Sequence, residues 1–182
     1  YVSKTLSNFY TQDDLIEIYD DLNNPQDILI LQCVFEGIRG KSNSEIINLK
    51  MENAYSNEET GKYYVNLYDT EKGDERLDHE ISKYLYELME YVNGLTEIED
   101  GRGVKMEFLE SKYILKRTFR GKQADKTEGM PINNSFIMNR MFSLKTLLED
   151  NNFRIKDIEK SGVMHYLNEL LENEETAATT IS

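Results

Sequence analysis

The longest apolar stretch of the chain lies between Pro25 and Gly37. Proline favours the first position of a helix and glycine the position just past its end, so this stretch predicts a helix that starts behind Asn24. A helix that is apolar on all sides is buried on most of them, and we expect this one at the centre of the fold. Its apolar residues are Ile28, Leu29, Ile30, Leu31, Cys33, Val34 and Phe35.

Apolar residues at the spacing of an amphipathic helix occur on both sides of this stretch. Upstream, Thr11 is a favoured N-cap residue and predicts a helix over residues 12–22. Downstream, two glycines bound a short turn that contains Arg39. Ser42 or Asn43 is then predicted to cap a second helix. The apolar side of that helix would consist of Ile46, Ile47 and Leu49.

After Lys50, apolar residues recur at every second position instead of at helical spacing, and this alternation indicates two strands. A polar segment, residues 69–75, lies between them and has Lys72 near its middle. The pattern therefore predicts an antiparallel β-hairpin with Lys72 near its tip. The alternating apolar positions are Tyr63, Val65 and Leu67 in the first strand and Leu77, His79 and Ile81 in the second.

The segment after the hairpin contains one clear helix. Ser82 is a favoured cap for a helix over residues 83–92, which carries apolar residues at helical spacing. Residues 94–103 are predicted to form a loop. Residues 104–109 and 111–119 are predicted to be strands or extended segments.

A last pair of helices is predicted near the C-terminal end. Residues 120–131 are polar and rich in glycine and lysine, so a loop is expected there. Asn133 or Asn134 then opens a helix over residues 135–149. The predicted inner face of that helix comprises Ile137, Met138, Met141, Phe142, Leu144, Leu147 and Leu148.

Charged residues are distributed unevenly along the chain. The net charge over 182 residues is −13, which argues against nucleic-acid binding by the chain as a whole. The segment from Arg102 to Lys126, however, holds eight basic and three acidic residues, so it carries +5 and the remainder −18. A segregated basic segment can still contact a phosphate backbone.

The length of the chain and the motifs it lacks limit the number of domains and the kinds of site to expect. The length suits one domain, and we find no internal repeat, no membrane-spanning run and no spacing of Cys and His typical of a metal site. Nucleotide-binding glycine motifs are absent as well, so neither a cofactor nor a metal is predicted. Cys33 lies in the apolar stretch, which favours a core thiol in a reducing, cytoplasmic protein.

The buried helix, the turn Gly37-Ile38-Arg39 and the following Ser-Glu-Ile-Ile-Asn-Leu-Lys resemble the start of the catalytic domain of phage integrases, the tyrosine recombinases. In that family the arginine of the turn grips the scissile phosphate, and Arg39 is the matching residue. The family usually places two residues between this arginine and the glutamate, whereas Gly40–Ser44 separate them here. The hairpin adds to the resemblance, because Lys72 and Arg76 occupy the places of a general-acid lysine and of an arginine that follows it.

The sequence FRIKDIEKSG, residues 153–162, resembles the second catalytic box of the same family. Lys156 stands at the place of the family's histidine, and Glu159 at the place of its second arginine. A carboxylate there repels the charge of the transition state, and loss of one such donor alone costs about 10²–10³ in rate. No tyrosine follows Tyr166, which is too close to Glu159 to match the family's nucleophile. The resemblance therefore implies a scaffold that has lost strand cleavage.

The resemblance implies one α+β, mainly helical domain of the tyrosine-recombinase catalytic type with a small antiparallel sheet. We expect residues 1–182 to be the C-terminal part of a longer chain, with a linker at 1–10 and a frayed tail at 172–182. The implied function is that of an inactive, integrase-like DNA-binding protein, of the kind that regulates transcription and lysogeny in phages or prophages. An active recombinase with its nucleophile outside this sequence and an acidic protein-interaction module are the alternatives.

The expected partner is double-stranded DNA, with no membrane contact; self-association and a regulatory protein or peptide stay open. Each basic candidate also has a simpler interpretation as a solvated surface residue. We expect Arg39, Lys72 and Lys156 to converge on one face. The candidate phosphate pocket consists of Arg39, Lys72, Arg76 and Lys156, and the candidate basic segment of Lys112, Lys116, Arg117, Arg120 and Lys122.

Overall fold

The computed structural model describes residues 9–119 and 126–180, which form an α+β arrangement with two small antiparallel sheets. One sheet has the order β1-β2-β3, and the other pairs β4 with β5. The predicted mixture of helices and a small antiparallel sheet is thus confirmed. The elements are α1 (Gln12–Asp20), α2 (Pro25–Phe35), α3 (Ser44–Ile47), β1 (Ala54–Asn57), β2 (Lys62–Asp69), β3 (Asp74–Ile81), α4 (Lys83–Gly94), β4 (Glu97–Glu99), β5 (Lys105–Glu107), α5 (Asn134–Leu147) and α6 (Ile155–Thr180).

Helix α2 is the centre of the core, as its apolar pattern predicts. The side chain of Asn24 accepts a hydrogen bond from the backbone amide of Gln26, so it caps the helix behind Pro25. Helices α4, α5 and α6 all pack against α2. Five of its apolar side chains have no solvent-exposed surface, namely Leu29, Ile30, Leu31, Cys33 and Val34.

Polar side chains on α2 tie it to distant segments. Asp27 accepts two hydrogen bonds from the Arg140 guanidinium of α5, at 2.7 and 2.5 Å. Gln26 binds the backbone of Lys116 through both of its side-chain groups, at 3.2 and 2.7 Å. Because buried polar groups are costly when unpaired, these contacts select the orientation in which the helices pack.

The region after α2 differs from the predicted capped helix. Helix α3 has only four residues, and neither Ser42 nor Asn43 caps it through its side chain. Both residues adopt the left-handed conformation, with φ of 54° and 61°. The extra residues between Arg39 and Glu45 are accommodated in this tight turn, which leaves little chain for a longer helix.

The hairpin is confirmed, and its register explains one error in the predicted pattern. Val65 pairs with His79 and Leu67 with Arg76, so Leu77 and Asp78 form a bulge between these pairs. Asp78 has a φ of 55°, and Leu77 is 56% exposed although the alternation placed it inward. Strand β1 was not predicted, because its short sequence AYSN has no alternating pattern.

Three further differences concern the C-terminal half. Strand β4 lies inside the segment predicted as a loop. Helix α5 buries Ile137, Met141 and Leu144 but leaves Phe142 and Leu147 exposed, so its inner face is narrower than predicted, and Met138 is also outside. Helix α6 continues through Thr180, where a frayed tail was expected from residue 172. Among the described residues, no helix combines the length and apolarity needed to cross a membrane.

Gly162 sets the distance between α6 and α2. A Cβ atom at this position would lie 1.7 Å from the carbonyl oxygen of Phe35 and 3.0 Å from its Cα. Both neighbours are backbone atoms, which cannot turn aside as a side chain would. The two helices therefore pack backbone to backbone at this crossing, and only glycine allows it.

We predict that Gly162→Ala lowers the free energy of unfolding by about 1–3 kcal/mol, the usual cost of overpacking. Chemical denaturation monitored by circular dichroism measures the effect. Gly94→Ala is the matched control, because Gly94 ends α4 and a Cβ there meets nothing within 4 Å. Equal stability of the two variants would contradict the close crossing.

We also predict that Cys33 reacts with thiol reagents only when the protein unfolds. Its side chain has no exposed surface, and burial, with a smaller effect of Glu36, raises the pKa of its thiol. Labelling at pH 8 is expected to be slow in buffer and complete within the mixing time in denaturant. Rapid labelling of the native protein would show that α2 is accessible from outside.

Candidate nucleic-acid interface

The turn between α2 and α3 is the framework of the candidate site. Gly37 and Gly40 have φ of +79° and +71°, which reverse the chain after α2 and again before α3. A Cβ on Gly40 would lie 2.8 Å from Cγ of Glu45 and 3.0 Å from Oδ2 of Asp69. The turn is therefore packed directly onto two carboxylate side chains.

Glu45 is the buried anion beneath this turn, since only 5% of the residue is exposed. Its carboxylate accepts a hydrogen bond from the backbone amide of Arg39 at 3.0 Å. The guanidinium of Arg76 donates to both carboxylate oxygens, each at 2.8 Å, and also to the carbonyl oxygen of Gly37 at 2.7 Å. Arg76 thus clamps β3 to the turn, although 45% of its side chain still faces solvent.

Arg39 projects from the same turn and meets α6. Its Nη1 donates to Oε2 of Glu159 at 2.5 Å, across 120 residues of sequence, and its Nε donates to Oδ1 of Asn43 at 3.2 Å. Asn43 in turn donates to Asn134 at the start of α5, at 2.7 Å. The side chains of Arg39 and Glu159 are 23% and 43% exposed, so this ion pair lies at the surface.

Asp69 joins the tip of the hairpin to the turn. Its carboxylate accepts hydrogen bonds from the Ser44 hydroxyl at 2.5 Å and the Lys41 amide at 2.7 Å, and from the amides of Glu71 and Lys72 at 3.1 Å each. Burial alone would raise the pKa of Asp69, but these hydrogen bonds outweigh it and lower the pKa to about 2. The carboxylate therefore stays charged and holds both segments together.

The four residues of the candidate phosphate pocket differ in how they are held. Arg39 and Arg76 are linked through Glu45. Lys72 is exposed at the hairpin tip, and its backbone amide donates to Asp69, which contacts the turn. Lys156 is exposed on α6, three residues before Glu159, so the two lie on one side of that helix. The turn contacts both elements that carry these lysines, and convergence of the three side chains stays a prediction.

Two members of the candidate basic segment bind backbone carbonyls inside the protein. Nζ of Lys116 donates to Asn93 at 2.7 Å, and burial lowers the pKa of this ammonium group. Nη1 of Arg117 donates to Pro131 at 2.9 Å. Lys112 is exposed. Arg120 and Lys122 lie outside the described residues.

Sequence reasoning overlooked the acidic residues that position the basic ones. Glu45 belongs to the motif from which the resemblance was argued, but its contact with Arg76 depends on the fold. Asp69 ends the first hairpin strand and carries no distinguishing pattern. Within residues 9–119 and 126–180, no group of acidic, His or Cys side chains is arranged to hold a metal ion.

We predict that the Asp69 carboxylate makes the stability of the protein depend on pH. Its pKa in the folded protein is about 2, below the ordinary value of 3.8, so its contribution is complete above pH 3.8 and is lost as the pH falls towards 2. Asp69→Asn should lower the melting temperature at pH 7, and the difference from wild type should shrink between pH 4 and pH 2. Glu58→Gln, in the exposed β1–β2 turn, is the control for loss of a negative charge. A difference that is constant over this range would contradict the assigned role.

Comparison with protein families identifies the family of this chain. A family model described as "MrpR, C-terminal catalytic domain" matches residues 9–180, which is nearly the whole chain. No curated protein matches the chain significantly. Since the model covers all of the elements described above, the chain belongs to the family of MrpR C-terminal catalytic domains.

Proposed function

We propose that this domain binds duplex DNA through the surface around Arg39 and does not cleave it. The observation that carries the proposal is the contact between Arg39 and Glu159. These residues stand where the tyrosine recombinases, which the sequence resembles, have two arginines that grip one phosphate. Here the first arginine is present, and its charged partner is a carboxylate.

A phosphate oxygen can take the place that the Glu159 carboxylate occupies against Arg39. Both groups are anionic acceptors, and arginine binds either through the same donors. The carboxylate of Glu159 is 43% exposed, so a DNA phosphate can compete with it for the donors of Arg39. Lys72 and Lys156 are exposed on the hairpin tip and on α6, the two elements that the turn contacts, and would supply further positive charge if they converge as predicted.

The same contact argues against catalysis. Transfer of a phosphoryl group increases the negative charge on the phosphate oxygens in the transition state, and catalysis needs donors that are already aimed at them. Glu159 places a negative charge beside Arg39 instead. Tyr166 lies seven residues beyond it on α6, about 10 Å along the helix, and is exposed. We therefore propose that the domain binds its DNA target without cleaving it, as a phage or prophage regulator of transcription does.

One observation favours a second candidate. The description of the matching family contains the word "catalytic". An active recombinase would require a nucleophilic tyrosine from another segment or another subunit, together with displacement of Glu159 from Arg39. Trapping of a covalent intermediate separates the two candidates.

We predict that the intact protein binds a fluorescein-labelled duplex in anisotropy titrations and that its affinity falls as salt increases. Arg39→Gln should weaken binding about tenfold or more, because a hydrogen bond to a charged group contributes about 1.5–3 kcal/mol. Glu159→Gln should strengthen binding by up to about fivefold, since it removes a negative charge beside the phosphate. Lys62→Gln is the control, because Lys62 pairs with Glu80 at the other end of β2 from Asp69.

We further predict that the wild-type protein forms no covalent adduct with a pre-nicked duplex, as assayed by denaturing electrophoresis. Glu159→Arg alone should not produce one either, because a second arginine supplies no nucleophile. An adduct with the wild-type protein would favour the recombinase. Absence of any binding at low salt, with the protein folded, would favour the acidic protein-interaction module.

A further inference from the structure

We propose that Lys50, Lys112 and Tyr113 form a second site for a DNA backbone phosphate, an inference that rests on the proposed DNA binding. The two ammonium groups approach the same aromatic ring. Nζ of Lys50 lies 5.6 Å from the centroid of the Tyr113 ring, and Nζ of Lys112 lies 5.5 Å from it. The arrangement concentrates two positive charges on one aromatic platform.

Backbone contacts hold this platform in place. The amide of Ile114 donates to the carbonyl oxygen of Leu49 at 3.0 Å, which fixes Tyr113 beside Lys50. Leu49 and Ile114 are both buried, so two core side chains anchor the two segments on either side of the contact. The Tyr113 amide also donates to the Ser111 hydroxyl, at 3.2 Å. The position of Tyr113 beside the segment that carries Lys50 is thus set by the backbone of the fold.

The charges of this platform are only weakly compensated. Each ammonium group is attracted to the electron-rich face of the ring, at about 0.5–1 kcal/mol in an exposed position, while the two repel each other. Lys50 has Glu52 as an acidic neighbour, but the distance is 3.4 Å and the Glu52 side chain is largely exposed. Among the ion pairs between described residues, Lys112 takes part in none. A phosphate that binds at this platform would accept hydrogen bonds from the ammonium donors and offset their positive charge.

A short stretch of chain connects the platform to the turn that carries Arg39. Glu45, whose carboxylate binds the Arg39 amide, precedes Lys50 by five residues, which span at most about 18 Å. Successive phosphates of one DNA strand are spaced by 3.4 Å along the helix axis, so this span corresponds to at most about five base pairs. One duplex would then contact both sites.

The charged groups of the candidate basic segment differ in how far they are available to a ligand. Lys116 and Arg117 direct their charged groups to carbonyl oxygens of the protein. Lys112 is then the described residue of that segment that remains available, and its partner Lys50 comes from a different part of the chain. Sequence alone does not reveal this pair, because 62 positions separate its members.

Salt-dependent binding to the labelled duplex tests the second site. With the intact protein, the double variant of Lys50→Gln and Lys112→Gln loses one phosphate contact and should reduce the slope of log affinity against log salt by about 0.9. Each single variant should reduce the slope by part of that amount. Tyr113→Phe should behave as wild type, because the ring is retained. Tyr113→Leu should weaken binding severalfold with an unchanged slope, since both charges remain while the platform is lost. Circular dichroism confirms that each variant is folded.

The outcomes separate this inference from the proposed function. If Lys50→Gln and Lys112→Gln leave the slope unchanged while Arg39→Gln weakens binding, the second site is wrong and DNA binding stands. If Lys62→Gln, the control variant with the same loss of charge, reduces the slope as much as they do, the effect reflects net charge and the site is also wrong. If the wild-type protein does not bind DNA at low salt, both proposals fail.

Discussion

Almost every side of helix α2 is buried, and helices α4, α5 and α6 pack against it. Its apolar side chains supply much of the driving force, since each fully buried Leu or Ile is worth about 1.5–3 kcal/mol. The polar groups on the same helix decide which element covers which side. Gln32 accepts a hydrogen bond from the Tyr19 hydroxyl of α1 at 2.9 Å, and Asp27 binds Arg140 of α5. On the α6 side, Gly162 lets two backbones meet.

The candidate site adjoins the C-terminal end of α2. Glu36 accepts hydrogen bonds from the amide and the hydroxyl of Ser82, which caps α4, and its carbonyl oxygen accepts one from His79 at 2.7 Å. Burial lowers the pKa of His79, so the neutral imidazole that donates to a carbonyl is favoured. The sheet and α4 are therefore fixed relative to the end of α2, and the Arg39 turn starts from a rigid support.

The charges around that turn are nearly balanced within the protein. A buried carboxylate requires a partner, and Glu45 has a bidentate one in Arg76. Arg39 has Glu159 as its partner at the surface. The proposed function rests on this arrangement, in which a phosphate would replace Glu159 against Arg39 without the excess of positive charge that favours phosphoryl transfer. This balance, together with a net charge of −13, makes any DNA binding depend on local groups and on salt.

Local sequence patterns were sufficient to predict the elements that depend on contacts between residues close in sequence. Thr11, Asn24 and Ser82 cap their helices as predicted, because a cap needs only the few residues around it. The hairpin followed from its period of two. The short α3, the bulge at Leu77 and the exposed side of α5 did not follow, since each depends on what packs against it.

The burial of α2 and the position of Arg39 in the turn after it could be predicted from the residues alone, because hydrophobic periodicity and turn residues act over short distances. The contacts of Arg39 depend on how the chain folds. Glu159 is 120 positions away, and Asp69 approaches the turn through a hairpin whose register is set by pairing between strands. The residue type gives the charge of a side chain, but its ion-pair partner depends on distances that are established only in the folded chain.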